Sequence, residues 1–120
     1  MSSRPGSPNT LTVQATQLEK AVLLKVNGRM DAENAVEFDQ ACESWISRGA
    51  KRIIVDVSEL SYISSMGLRS FLAAGQKLQS SSGSLILCGL NGLPRQVFEM
   101  TRLIGLFPVH DTVEQAIATL

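Results

Sequence analysis

The chain has 120 residues, 44% hydrophobic and 18% charged, and its eleven basic side chains are cancelled by eleven acidic ones. That is the make-up of one globular domain with a single core. Without a basic excess it does not have the composition of a nucleic-acid binder, so no nucleic-acid partner is expected, and no apolar run approaches the roughly 18 residues of a membrane span.

Residues 1–10 are rich in Ser, Pro and Gly and read as a disordered tail, so the domain is expected over 11–120. The tail lacks the apolar stretch of a signal peptide, which makes a cytoplasmic location the expectation. Leu11, Val13 and Ala15 alternate with Thr12, Gln14 and Thr16, the period of a half-buried strand. A polar turn near Gln17 to Lys20 leads to a second strand through Val22, Leu24 and Val26, which Asn27-Gly28 is expected to end. Asp31 is placed to cap a helix. Ala35, Phe38, Cys42, Trp45 and Ile46 form its apolar stripe, with Trp45 read as core, and Gly49 stops it.

Ile53-Ile54-Val55-Asp56-Val57 is a short apolar run rich in β-branched residues, the composition of a strand buried on both faces of a parallel sheet. A polar connection from Ser58 to Ile63 follows. From Leu68 a helix face runs through Phe71, Leu72 and Leu78, with Gly75 on the same side. Ser80 to Gly83 reads as a turn, Leu85 to Cys88 as another buried strand, and Gly89 to Gly92 as a corner. Pro94 opens the next helix, lined by Leu93, Val97, Met100 and Ile104 and closed by Gly105. An extended piece around Phe107 to His110 precedes Asp111, which pairs with Glu114 as a capping box. Val113, Ala116, Ile117 and Leu120 face inward from a terminal helix. This order predicts an α/β fold: a single-layer mixed, mostly parallel sheet of four to five strands, packed with about four helices.

Catalytic and cofactor signals are absent. Cys42 and Cys88 lie far apart in apolar settings, and with His110 as the lone imidazole they cannot supply about four clustered zinc ligands, so no metal is expected. There is no G-x-S-x-G elbow and no phosphate-binding G-x-x-x-x-G-K-[ST] loop, and Gly75-Gln76-Lys77 falls mid-helix. The chain therefore reads as a non-enzyme without a cofactor. What remains is Ser64-Ser65-Met66-Gly67-Leu68, where a buried strand has handed the chain to the first turn of a helix. That edge of an open α/β sheet is where sites are built. A serine there is commonly an N-cap. Gly67 has two explanations, a tight corner or a bare surface for a partner's backbone. Met66 is expected to be exposed, since Leu68 opens the buried stripe.

The string Ser-x-Gly-Leu, after Val55-Asp56-Val57-Ser58 and the Tyr62-Ile63 step, resembles the phosphoacceptor loop of the STAS domain family, the bacterial anti-sigma factor antagonists. The element order resembles that family over nearly all of residues 11–120. The family motif reads Asp-Ser-(Ser, Thr or Ala)-Gly-Leu, so counting back from Gly67-Leu68 the resemblance assigns the acceptor to Ser65. Ser64 stands at the family's aspartate position, which removes a carboxylate beside the acceptor. Gly28-Arg29-Met30-Asp31 matches the family's Gly-x-(Leu or Met)-Asp element, whose aspartate lies near that loop. The resemblance implies a partner surface of Asp31, Ser64, Ser65, Met66, Gly67 and Arg69. It implies an unphosphorylated form that binds an anti-sigma factor, itself often a serine kinase, and so frees a sigma factor. Phosphorylation of Ser65 then releases that partner and a PP2C-type phosphatase resets the cycle. Two other readings use the same corner: a constitutive STAS subunit of a lipid-transport or stress-signalling assembly without a phosphate cycle, and a small-ligand or nucleotide sensor.

Overall fold

The structure, a computed structural model, describes residues 10–120; the proposed tail therefore lies outside it except for Thr10, which is buried. Six strands form one sheet: β1 (Leu11–Gln17), β2 (Val22–Met30), β3 (Arg52–Asp56), β4 (Leu60–Ile63), β5 (Ser84–Cys88) and β6 (Val109–His110). Among the described residues four α-helices accompany them: α1 (Ala35–Ser47), α2 (Ser65–Ser80), α3 (Gly92–Met100) and α4 (Val113–Ala118). The strand order is β1-β2-β3-β5-β6, with only the β1–β2 pair antiparallel. β3 pairs with the first half of β2, Val22 to Lys25, and β4 with the second half, Gly28 to Met30. The two short strands thus succeed one another along β2.

β4 is a strand where a polar connection was expected, and it takes the count past five. Four residues are too few for a periodicity to declare itself, but Leu60 and Ile63 are buried while Ser61 is exposed and Tyr62 half-buried. Asn27-Gly28 likewise does not end β2. The strand kinks there and runs on to Met30, because Gly28 at φ 104° lets the Thr10 carbonyl approach to where a β-carbon would stand only 2.1 Å away.

Helices α1, α2 and α3 pack on one face of the sheet, and α4 covers part of the other. All four phenylalanines run in file beneath the three helices. Phe38 stacks on Phe71 at 4.5 Å, Phe71 meets Phe98 edge-on at 5.6 Å, and Phe98 meets Phe107 at 6.2 Å. Each such contact adds about 0.5–1.5 kcal/mol beyond the area it buries.

α3 is turned relative to the expected stripe. Pro94 and Phe98 point inward, Val97 is half-buried, and Leu93 and Met100 face solvent. The helix stops at Met100, Arg102 takes a left-handed φ of 62°, and Ile104 falls in a separate 3-10 turn, Leu103–Leu106. The last capping box is displaced by one residue. Thr112 Oγ1 accepts from Gln115 N–H at 3.1 Å, and Gln115 Oε1 accepts from Asp111 N–H at 3.0 Å, so Glu114 is not the returning partner. In α4, Ala116 is buried and Ile117 is exposed.

Candidate functional site

β2 and β4 end side by side, with Met30 opposite Ile63, and their next residues are Asp31 and Ser64. Ser64 N–H donates to Met30 O at 2.8 Å, which pins the β4–α2 corner against the end of β2. Ser64 is the α2 N-cap: its Oγ accepts from Gly67 N–H at 3.2 Å, and its carbonyl accepts from Leu68 N–H at 3.0 Å. Ser65 is then the first helical residue, exposed, where the unpaired N–H groups and the positive end of the helix dipole favour an anion.

The hydroxyls near this corner have different fates. Ser61 Oγ donates to Gly28 O at 3.0 Å, and Ser70, buried, donates to Met66 O at 3.2 Å. Ser64 is half-buried and engaged as the cap. Ser65 is exposed and makes no side-chain hydrogen bond within the described residues. Met66, at 42% exposure, and Arg69 face outward beside it, Arg69 one turn further along α2.

Gly67 points the other way. It is buried, and a β-carbon added there would stand 2.7 Å from Ile63 Cγ1 and 2.9 Å from Met30 Sδ. Of its two explanations, the geometry supplies the tight corner. Asp31 is half-buried and starts a reciprocal cap ahead of α1. Its Oδ1 accepts from Glu33 and Asn34 N–H, both at 2.9 Å, while Asn34 Oδ1 accepts from Asp31 N–H at 2.8 Å. Asp31 therefore caps the turn that leads into α1, while the α1 N-cap residue is Asn34, whose side chain makes no cap hydrogen bond to the helix. Arg29 is fastened over the Tyr62 ring at 4.2 Å, a second tie between β2 and β4.

The structure thus gathers Asp31, Ser64, Ser65, Met66 and Arg69 at one edge and leaves Gly67 beneath them. It adds Val36, 49% exposed, which lines a groove of about 310 Å³ between α1 and α2 with Ala32, Ala35, Met66 and Arg69. Val36 lies off the Ala35–Phe38–Cys42 stripe, and that apolar residue outside the buried face was the only signal for it in the sequence. Both cysteines are buried free thiols, and burial is the main cause that pushes each thiol up to about 12. Cys42 is among the residues lining that groove, whereas Cys88 is not. Among the described residues no cluster of potential metal ligands occurs and no helix is long and apolar enough to cross a membrane.

A STAS domain profile matches residues 12–116. BtrV of Bordetella bronchiseptica, whose name describes a candidate anti-sigma factor antagonist, is 30% identical over 102 residues, covering 85% of this chain and 88% of that protein. An anti-sigma factor antagonist from Mycobacterium paratuberculosis superposes with a TM-score of 0.86 at 21% identity, covering 94% of this chain and 96% of that one. The Bacillus cell fate determinant SpoIIAA, solved in its phosphorylated form, superposes with a TM-score of 0.73 at 24% identity over 90% of this chain and 98% of its own.

Proposed function

The chain belongs to the STAS domain family, and from that membership we propose that it is an anti-sigma factor antagonist switched at Ser65. In this reading the unphosphorylated protein binds an anti-sigma factor with serine kinase activity and frees a sigma factor. Phosphate on Ser65 ends the complex, and a PP2C-type phosphatase restores it. The chain is a binding module and a kinase substrate and has no catalytic residue of its own.

One observation carries the proposal: of the serines at the corner, Ser65 alone offers an exposed hydroxyl with no hydrogen bond to the described residues. The position also suits the product. A phosphoserine brings about −1.5 to −2 charges to the first turn of α2, against the dipole and within one turn of Arg69. The partner meets the opposite condition, since a face packed around Met66 and a neutral hydroxyl must then accept a hydrated dianion.

The site is tested by incubating the protein with the anti-sigma kinase of its native cell and ATP and mapping the product by fragmentation. Phosphate is expected on Ser65 and not on Ser61, Ser64 or Ser70. Phosphate mainly on Ser64 overturns the assignment, and no phosphate at all favours the constitutive subunit.

A further inference from the structure

We propose that the end of the domain opposite Ser65 carries a second binding site, specific for phosphate-bearing anions. The β1–β2 turn, the C-terminus of α1 and the start of β3 border an open surface hollow of about 410 Å³. Its charged lining is Lys20, Arg48, Lys51 and Arg52 against the single acid Glu19. A chain whose charges otherwise cancel therefore concentrates three net positive charges, four minus one, in one concavity. Such a hollow focuses potential and raises the local concentration of anions.

Capping the α1 dipole does not account for it. One cation at a helix C-terminus suffices for that, and Arg48 is in place as the C-cap residue. The other three come from different segments. Among the described residues ion pairs form only between Lys77 and Glu43 and between Arg95 and Glu99, so none of the four cations is neutralised. Lys51 Nζ donates to Ser81 O at 2.9 Å, a carbonyl that does not line the hollow, and its charge is not cancelled. The Arg48 guanidinium lies over the Trp45 ring at 4.9 Å, and Trp45 itself lines the hollow.

The mixture selects the ligand's chemistry. Two guanidinium forks match the paired oxygens of a phosphate, and two ammonium groups add point charges that a multi-oxygen dianion can satisfy together. A lone carboxylate has oxygens for one fork only. The hollow lies at the N-terminal ends of β2 and β3, where Val22 stands opposite Ile53. Ser65 lies just past the end of β4, beside the far end of β2, roughly 25 Å away at about 3.3 Å per residue. The site therefore goes beyond the Ser65 reading and stands whether or not that serine is phosphorylated.

Trp45 is the only tryptophan, so the unmodified full-length chain reports on its own hollow. Titration with inorganic pyrophosphate at constant ionic strength is expected to give a saturable change in Trp45 emission, with a Kd of about 1 mM or tighter. Calorimetry supplies a readout independent of the indole. The double variant Lys51→Gln/Arg52→Gln changes two exposed side chains; it is expected to keep its circular dichroism and bind at least about tenfold more weakly. Lys25→Gln, an exposed cation outside the hollow, is expected to bind like wild type. Vesicles with phosphate-monoester headgroups, set against zwitterionic ones, identify the source. Saturation by pyrophosphate alone supports a soluble ligand, and saturation by the anionic vesicles supports a headgroup. No saturable response in either arm, an equal response to sodium chloride, or equal binding by the folded double variant overturns the site.

Discussion

Ser64 and Ser65 are adjacent and chemically identical, and the backbone gives them opposite surroundings. Ser64 spends its hydroxyl on Gly67 N–H, while Ser65, one residue on, is helical and faces solvent. The expectation for Ser65 comes from the resemblance to the family motif, by counting back from Gly67-Leu68; without that motif the sequence leaves the two serines equivalent. The role of Gly67 was not legible, because a tight corner and a bare surface call for the same residue. Its surroundings now predict the sign of a substitution. Gly67→Ala gains helix propensity of about 0.5–1 kcal/mol at most. Its β-carbon, however, would enter the space of Ile63 and Met30, both buried, and overpacking of that kind costs about 1–3 kcal/mol. The net expectation is a loss of about 1–2 kcal/mol, read as a lower denaturant midpoint at unchanged slope. Gly67→Arg is expected to abolish the fold instead of merely blocking a partner. A folded Gly67→Arg protein with wild-type melting would restore the bare-surface explanation.

At the scale of elements, long periodic stripes were readable and short or broken ones were not. α1 and α2 bury most of the residues their spacing indicates, Ala35, Phe38 and Cys42 in one and Leu68, Phe71 and Leu78 in the other, while Trp45, Ile46 and Leu72 from the same stripes are only half-buried. α3 has nine residues, and its apolar side chains cover a broad arc opposite Arg95, Gln96 and Glu99, so Leu93–Val97–Met100 and Pro94–Phe98 are equally good faces on sequence. Tertiary context decides between them, because only Phe98 can close the file from Phe71 to Phe107. The two faces therefore differ sharply in what they contribute. Phe98→Ala is expected to cost about 3–5 kcal/mol, whereas Met100→Gln, at a site 82% exposed, is expected to stay within about 0.5 kcal/mol of wild type. Equilibrium unfolding of the two variants checks this, and similar losses from both would contradict the observed orientation of α3. β4 was missed for a related reason: it is held by the far half of β2, a neighbour its own four residues cannot announce.

At the scale of the molecule, the alternation of strands and helices sufficed for the class and for the edge that bears the site. The register did not follow from it, nor did the succession of β3 and β4 along β2, nor the gathering of Lys20 with Arg48, Lys51 and Arg52. Those depend on contacts between segments distant in sequence. The architecture places Ser65, the proposed acceptor, at a helix N-terminus where charge can be added without disturbing the fold. A phosphate at the α2 N-terminus interacts with the dipole by about 0.3–1 kcal/mol in the domain's favour, so the modified protein is expected to be as stable as the unmodified one or slightly more so. Burying an unpaired charge in the complex costs several kcal/mol, enough to lower affinity by two or more orders of magnitude at about 1.4 kcal/mol per tenfold. The direct test is calorimetric titration of the anti-sigma partner with wild type, Ser65→Ala and Ser65→Asp, with a melting curve for each. Wild type and Ser65→Ala are expected to bind alike, and Ser65→Asp to bind at least about tenfold more weakly while melting no lower than wild type. A Ser65→Asp protein that binds as tightly as wild type, or that melts well below it, contradicts a switch made by local charge at Ser65.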